Sequence, residues 1–190
     1  MKLLPAGRRI VLDVDNVLAD TAGSFCKLAQ EEIGTAITKD MIRSPKIVGS
    51  LRADPRVIFE VLNHVWDNWE DLQLLETDVP STIRRLQSNG NIIIVATSRP
   101  IRSRNQVLQW LKKNGVPYNY FEHLGPHTSK SVLDADILVD DDTDQATEFA
   151  LTSDHPRQGV IYDQPWNRSI LFIERVSRIS KLSELVRAHV

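Results

Sequence analysis

The chain has little cysteine, no excess of basic residues and no long apolar run, and each absence excludes a class of protein. Cys26 is the only cysteine among 190 residues, so no disulfide can form within the chain, and we expect a reducing compartment. The 23 basic residues are balanced by 25 acidic ones, and no segment resembles a polybasic arm, so attraction to a nucleic-acid backbone is not the organising feature. No segment has the roughly 20 apolar residues of a membrane span, and residues 1–9 lack the apolar region of a signal peptide. We therefore expect a cytoplasmic protein that binds neither nucleic acid nor membrane.

Several motifs of other enzyme classes are also missing. The chain has no glycine-rich phosphate loop, which argues against a kinase or a dinucleotide-binding enzyme. Its 5 histidines are scattered, without the spacing of a zinc site. No serine has an evident histidine partner for a nucleophilic triad. Any catalytic chemistry must therefore depend on other residue types.

Apolar runs that end in polar residues recur along the chain. Residues 9–14, 91–97 and 136–142 each contain consecutive apolar residues followed by aspartates or hydroxyl side chains. Residues 159–163 and 169–173 are weaker candidates of the same kind. Continuous apolar runs separated by helical patterns indicate an α/β fold with a parallel sheet covered on both faces. Because ligands bind at the carboxyl ends of such strands, the polar residues found there form the candidate site.

The long segment between the first two strand candidates has the pattern of helices rather than of a loop. Apolar residues recur at helical spacing before Gly34 and again after Asp54-Pro55, a typical N-cap followed by a first-turn proline. The pattern predicts helices throughout residues 18–78, which we interpret as a small helical cap over the site. Residues 1–17 and 79–190 then form the catalytic core, with further helices over residues 80–88 and 102–114.

Two of the strand candidates end in aspartates. Asp13 and Asp15 close the first run, and Asp140, Asp141 and Asp142 close the run at 136–142. Carboxylates buried together at one sheet edge repel one another and lose solvation, and a hard cation such as Mg²⁺ relieves both penalties. Taken alone, each cluster is also explained by a helix cap or an acidic turn.

The strand candidate at residues 91–97 and one lysine add groups that can bind phosphate. Thr97, Ser98 and Arg99 supply two hydroxyls and a guanidinium, which hydrogen-bond phosphate oxygens well. Lys130, shortly before the run at 136–142, can neutralise phosphate charge and orient a carboxylate. Singly, an ordinary strand-to-loop transition or a solvated surface lysine explains these residues equally well.

In chain order, DVDNV at 13–17, VATS at 95–98, Lys130 and LVDDD at 138–142 resemble the four motifs of the haloacid dehalogenase-like hydrolase superfamily. The second acid, Asp15, is typical of its phosphatase branch. The longer stretches DVDNVLAD, TSRP, DADILVDDD and VIYDQPWNR resemble the 5′(3′)-deoxyribonucleotidases and their bacterial and phage relatives. That group also carries a helical cap at the same place in the chain.

This resemblance implies a three-layer Rossmann-like core and a phosphomonoesterase that forms an aspartyl-phosphate. Asp13 would be the nucleophile, and Asp15 would act as general acid and then as general base. Thr97 and Lys130 would hold the phosphoryl oxygens. The expected substrate is a nucleoside or deoxynucleoside monophosphate.

The resemblance also implies a magnesium ion. Its ligands would be the Asp13 carboxylate, the Asp15 main-chain carbonyl and Asp141. Asp140 would lie beside the ion or behind its direct ligands, and Asp142 is the least expected ligand of the three adjacent acids.

Residues that contact the rest of the substrate are harder to identify from sequence. Ser98, Arg99 and Arg102 are candidates to contact phosphate or sugar. Trp66 lies off the apolar stripe of its predicted helix and is a candidate to stack on a base, whereas Trp69 fits the stripe and is expected in the core. Ordinary surface or core packing explains each of these positions equally well.

Three other functions remain open at this stage. The same chemistry would serve a phosphatase for a sugar phosphate or another small phosphomonoester. A non-catalytic phosphate- or metal-binding module would keep the fold but would not need both Asp13 and Asp15. A phosphatase for nucleic-acid ends would need the basic stripe that the chain lacks. A homodimer is also left open.

Overall fold

The computed structural model describes residues 7–34, 36–47, 51, 54–182 and 184. In this part of the chain, six strands form one sheet with the spatial order β3-β2-β1-β4-β5-β6. Every neighbouring pair of strands is parallel. The strands are β1 (Arg9–Asp13), β2 (Ile92–Thr97), β3 (Tyr120–His123), β4 (Ile137–Asp140), β5 (Gln158–Tyr162) and β6 (Glu174–Val176).

Helices cover both faces of the sheet, which confirms the predicted three-layer α/β architecture. Leu12 of β1 belongs to a large apolar cluster that includes Ile83 and Trp110, while the neighbouring Val11 belongs to a second cluster with Phe149 on the opposite face. Within the described ranges, every helix is too short or too polar to cross a lipid bilayer. The α-helices are α1 (Thr21–Ile33), α2 (Pro55–Asp67), α3 (Val79–Ser88), α4 (Arg104–Lys113) and α5 (Thr143–Leu151).

The register of the central strands brings the chemically important residues together. Leu12 of β1 pairs with Val139 of β4, so the next residues, Asp13 and Asp140, end neighbouring strands at the same sheet edge. On its other side, Asp13 pairs with Ala96 of β2, one residue before the end of that strand. The apolar runs that precede these ends are buried on both faces, as expected for central parallel strands.

The sequence prediction for the last strand was wrong in position. Residues 169–173 are not a strand, and β6 begins only at Glu174. The guanidinium of Arg175 donates to the carbonyl oxygens of Asn167 at 2.8 Å and Ile170 at 2.9 Å. These bonds draw the chain before β6 towards Arg175 and hold it in a turn. The strand β3 was not predicted at all.

The segment after β1 contains helices, as predicted, but it is not helical throughout. Gly34 has a φ of 64° and ends α1, and Asp54 caps α2 by accepting the N–H of Arg56 at 2.8 Å. Between and after the helices the backbone is extended or turned. The two ends of the segment, where it leaves and rejoins the core, are hydrogen-bonded to each other: the N–H of Leu75 donates to the carbonyl of Leu18 at 2.8 Å. This hydrogen bond uses backbone groups that a helix would need.

The predicted helix over residues 102–114 also starts later than expected. A short 3-10 turn covers Ile101–Ser103, and α4 begins at Arg104. The domain boundaries at residues 17 and 78 stay a prediction.

Candidate active site

Carboxylates from the ends of β1 and β4 share one buried ammonium group. The Nζ of Lys130 donates to Oδ1 of Asp13 at 2.6 Å and to Oδ2 of Asp140 at 2.6 Å. The lysine lies in a short 3-10 turn that follows β3 in the chain, and its exposed fraction is only 3%. One positive charge therefore faces two negative charges in a region from which water is largely excluded.

A third carboxylate makes this cluster suitable for a metal ion. Oxygen atoms of Asp13, Asp140 and Asp141 lie within 4.8 Å of one another, and all three residues are buried. Both oxygens of Asp140 have partners, since Oδ1 also accepts the N–H of Asp142 at 2.9 Å. Asp142 itself caps α5 by accepting the N–H of Asp144 at 2.9 Å. A compact set of carboxylate oxygens with excess negative charge fits a hard divalent cation such as Mg²⁺.

Burial makes these carboxylates difficult to ionise in the absence of a cation. Loss of solvation, reinforced by the charges of Asp140 and Asp15 and opposed by Lys130, raises the pKa of Asp13 to about 8. Burial, together with Asp140 and Asp13, also raises the pKa of Asp141 well above its ordinary value. A divalent cation would favour the ionised form of both groups.

Asp15 lies beside this cluster but has a different environment. Its Oδ1 accepts three hydrogen bonds, from Oγ1 of Thr21 at 2.7 Å, Nη1 of Arg99 at 2.8 Å and Nε1 of Trp66 at 2.9 Å. The donors come from α1, from the loop after β2 and from α2. Asp15 is therefore oriented by three separate segments and remains partly exposed, with 23% of its side chain accessible.

The acids open into a cavity of about 460 Å³. Its lining includes Asp13, Asp15, Lys130 and the adjacent acids Asp140, Asp141 and Asp142. It also includes apolar side chains, namely Pro45, Ile47, Phe59, Leu62 and Pro126. Phe59 is 51% exposed. The cavity thus combines charged groups with apolar side chains.

The structure brings most of the predicted site residues together. Those that line the cavity are Asp13, Asp15, Ser98, Arg99, Lys130, Asp140 and Asp141. Thr97 ends β2 and is 1% exposed, and its Oγ1 accepts the N–H of Arg99 at 3.2 Å. Arg102 is exposed, donates to Oδ1 of Asn63 at 2.7 Å and is not part of the cavity lining.

Trp66 does not occupy the base-stacking position that the sequence suggested. It is 1% exposed, its ring lies edge-on to Trp110 at 6.0 Å, and the Arg99 guanidinium lies 4.9 Å from the ring centre. No ring face is left for a nucleobase. Trp69, expected in the core, is partly buried against it.

A segment after β5 braces the site and was not identified as functional from the sequence. Gln164 donates to the main-chain oxygen of Asn16 at 2.8 Å, and Asn167 donates to that of Asp141 at 3.0 Å. The indole N–H of Trp166 donates to Oδ2 of Asp141 at 3.1 Å. These residues belong to the VIYDQPWNR stretch, whose resemblance to deoxyribonucleotidases was the only signal in the sequence.

Comparison with known proteins identifies a family that covers nearly the whole chain. A family model described as "5' nucleotidase, deoxy (Pyrimidine), cytosolic type C protein" matches residues 8–190. Among curated protein sequences, none is similar enough to this chain to count as a match.

Solved structures of haloacid dehalogenase-type proteins share the fold at low sequence identity. A haloacid dehalogenase-like hydrolase from Streptococcus pneumoniae has a TM-score of 0.62 and 11% identity, covering 94% of this chain and 98% of its own. A putative hydrolase of the same type from Bacillus subtilis, bound to magnesium, has a TM-score of 0.59 and 12% identity, covering 96% and 99%. A putative beta-phosphoglucomutase from Thermotoga maritima has a TM-score of 0.58 and 14% identity, covering 96% and 100%.

Proposed function

The chain belongs to the family described as 5′ nucleotidase, deoxy (pyrimidine), cytosolic type C protein, and from this premise we propose that it is a magnesium-dependent nucleotidase. As a member, it is a phosphatase of the haloacid dehalogenase type that acts on a small phosphate ester. The proposed reaction hydrolyses nucleoside or deoxynucleoside monophosphates through an aspartyl-phosphate. The observation that carries the proposal is the buried contact of Asp13 with Lys130, with Asp15 held beside it in the same cavity.

In the first step, a carboxylate oxygen of Asp13 attacks the phosphorus atom in line with the ester bond. The phosphorus–oxygen bond to the nucleoside breaks, and Asp15 donates a proton to the departing oxygen. Lys130 holds Asp13 in place and offsets charge on the phosphoryl group. The buried Thr97 and the hydroxyl of Ser98 lie at the end of β2, where they support the remaining phosphoryl oxygens.

In the second step, water attacks the phosphorus of the aspartyl-phosphate. Asp15, now ionised, takes a proton from that water. The bond between phosphorus and the Asp13 oxygen breaks, which regenerates the Asp13 carboxylate and releases inorganic phosphate. A magnesium ion held by Asp13, the main-chain oxygen of Asp15 and Asp141, with Asp140 beside it, would offset phosphate charge and orient the transferred group.

The apolar side chains in the cavity lining support a nucleotide rather than a sugar phosphate. A nucleobase offers a flat apolar face that stacks on aromatic rings, whereas a sugar phosphate needs polar groups around its hydroxyls. Phe59 lines the cavity and is 51% exposed, and we assign to it the role that the sequence suggested for Trp66. The single cysteine, which fits a reducing compartment, supports a cytoplasmic location.

Phosphate release from a panel of substrates tests this proposal. Wild type and Asp13→Asn are compared on nucleoside 5′- and 3′-monophosphates, their deoxy forms and sugar phosphates, with Mg²⁺ and with EDTA. We expect release that requires Mg²⁺, vanishes in Asp13→Asn and is fastest on a nucleotide. A faster reaction on sugar phosphates would overturn the nucleotide assignment alone. No release by folded, magnesium-loaded wild type would overturn the catalytic proposal and favour a binding module.

A further inference from the structure

Asp15 is anchored through only one of its two carboxylate oxygens. The hydrogen bonds from Thr21, Arg99 and Trp66 all end on Oδ1, at 2.7 to 2.9 Å. No described residue donates to Oδ2. Since three donors on a single oxygen fix both the position and the rotation of a carboxylate, the second oxygen has a defined direction.

Trp66 contributes to this anchor in two ways. Its indole N–H donates directly to Oδ1, and its ring lies under the guanidinium of Arg99, 4.9 Å from the ring centre. The side chain of Arg99 is only 14% exposed, so the stacking takes place where water competes weakly. Trp66 also packs edge-on against Trp110 of α4. A buried tryptophan in the inserted segment is therefore coupled to a carboxylate at the sheet edge.

We propose that Trp66 and Arg99 are positioning residues that hold Oδ1 of Asp15 so that Oδ2 exchanges the proton with the substrate. This inference rests on the proposed phosphatase function. When the ester bond breaks, Oδ2 gives its proton to the leaving oxygen, and in the second step Oδ2 takes a proton from the attacking water. Trp66 touches neither the substrate nor the reacting atoms, and it acts only through Asp15.

A positioning role of this kind has a kinetic signature that a structural role lacks. Proton donation accelerates the loss of an alkoxide, which is a poor leaving group, far more than the loss of a nitrophenolate, which leaves without help. The value of kcat/KM reports the steps up to transfer of the phosphoryl group to Asp13. A misaligned Asp15 therefore lowers kcat/KM for alkyl phosphates selectively.

The experiment compares Trp66→Phe with Trp110→Phe, using p-nitrophenyl phosphate, glycerol 2-phosphate and a nucleoside 5′-monophosphate. Trp110 is the matched control, because it is equally buried and its indole N–H also makes a hydrogen bond, to the carbonyl of Leu72 at 2.8 Å. A phenylalanine at this position removes that hydrogen bond and keeps an aromatic ring beside Trp66. For Trp66→Phe we expect kcat/KM to fall roughly 10- to 100-fold on the two alkyl esters and less than about threefold on p-nitrophenyl phosphate. For Trp110→Phe the ratio between the substrates should stay at its wild-type value.

A double-mutant cycle with Asp15→Asn checks that Trp66 acts through Asp15. Once Asp15 can no longer donate a proton, removing its anchor should have little further effect on alkyl esters, so the two substitutions should be strongly non-additive. Thr21→Val removes a second donor to the same oxygen without changing the indole. It should reproduce the selective loss on alkyl esters if Trp66→Phe does not fold.

The outcomes separate this inference from the function on which it rests. Wild type that hydrolyses none of the three esters would overturn the proposed function. If wild type is active, two results would overturn the positioning role and leave the phosphatase assignment intact. One is a folded variant whose kcat/KM falls equally on all three esters. The other is a variant whose effect on kcat/KM adds fully to that of Asp15→Asn.

Discussion

Lys130 donates from Nζ to Oδ1 of Asp13 at 2.6 Å, and the exposed fractions of the two side chains are 4% and 7%. The same nitrogen also donates to Asp140. Replacing the lysine therefore leaves two buried carboxylates without their shared cation. This single contact links the stability of the sheet edge to the chemistry proposed there.

We predict that Lys130→Met lowers the free energy of unfolding in EDTA by about 3–5 kcal/mol, the usual effect of removing one partner of a buried ion pair. It should also abolish measurable phosphate release. Urea denaturation followed by circular dichroism measures the first effect. Lys27→Met is the control, since Lys27 is 75% exposed and should change stability by less than about 1 kcal/mol. Equal effects of the two substitutions would contradict the buried ion pair.

Asp142 should be dispensable for activity, although it adjoins two acids of the proposed site. Its carboxylate caps α5, and asparagine is an equally good N-cap. We predict that Asp142→Asn keeps kcat/KM within about threefold of wild type, whereas Asp15→Asn lowers it on alkyl esters at least ~10²-fold. Steady-state assays in saturating Mg²⁺ distinguish the two variants. A loss of metal affinity in Asp142→Asn would show that Asp142 is a ligand.

Magnesium should stabilise the protein more strongly as pH rises. The pKa of Asp13 is raised to about 8 in the folded protein, so between about pH 4 and pH 8 the metal-free fold holds a proton that the unfolded chain has already lost. The contribution of that group is present at low pH and is lost as pH rises through its folded pKa. Because Mg²⁺ binds the ionised carboxylates, its effect on Tm should grow from pH 5 to pH 8.

Calorimetry provides an independent measurement of the same linkage. Magnesium binding at pH 7 should release protons, detected as a binding heat that depends on the ionisation enthalpy of the buffer. In Asp13→Asn both the proton release and the pH dependence of the Tm shift should shrink. Wild type whose binding heat is the same in every buffer would contradict the raised pKa.

Phe59 should contribute to nucleotide binding and not to the chemical step. Stacking of a base on an aromatic ring contributes about 1–3 kcal/mol, so Phe59→Ala should raise KM for a nucleoside monophosphate by roughly 5- to 100-fold. The kinetics of glycerol 2-phosphate should not change. Phe172→Ala is the matched control, because Phe172 is also exposed, at 76%, and does not line the cavity. An unchanged nucleotide KM in Phe59→Ala would remove Phe59 from the proposed base site.

Trp166 should raise the affinity of the proposed site for Mg²⁺ through its hydrogen bond to Asp141. Its N–H donates to Oδ2 of that carboxylate at 3.1 Å, and losing such an outer contact typically weakens metal affinity by about 10- to 100-fold. We predict that Trp166→Phe raises the Mg²⁺ concentration needed for half-maximal activity by roughly tenfold. Trp69→Phe, a similar change outside the site, should leave it unaltered. Identical metal requirements in the two variants would contradict this role.

The central strands could be predicted because they are buried on both faces and therefore read as continuous apolar runs. The edge strand β3 escaped notice because it has only four residues, two of them polar, and Tyr120 is 53% exposed. Segment 169–173 looked like a strand from its composition, but the bonds that Arg175 makes to nearby carbonyls decide its shape. Contacts of that kind depend on the folded arrangement and leave no local pattern.

The candidate acids could be predicted because parallel strands bring their carboxyl ends to one edge, wherever they lie in the chain. Trp66 was misinterpreted because a single apolar stripe assumes that a helix buries one face only. Helix α2 packs against both α1 and α4, so a residue off the stripe is buried as well. The role of the indole N–H depends on the position of Asp15, which periodicity cannot reveal.

The brace formed by Gln164, Trp166 and Asn167 determines when the site can form during translation. Gln164 reaches back 148 positions to Asn16, so the residues beside Asp13 leave the ribosome well before their support. A nascent chain that stops at Asp142 already carries every acid of the proposed site but lacks the donors that bind the main-chain oxygens of Asn16 and Asp141. Because a domain folds as a unit, the cell should gain phosphatase activity only after the segment that follows β5 has been translated.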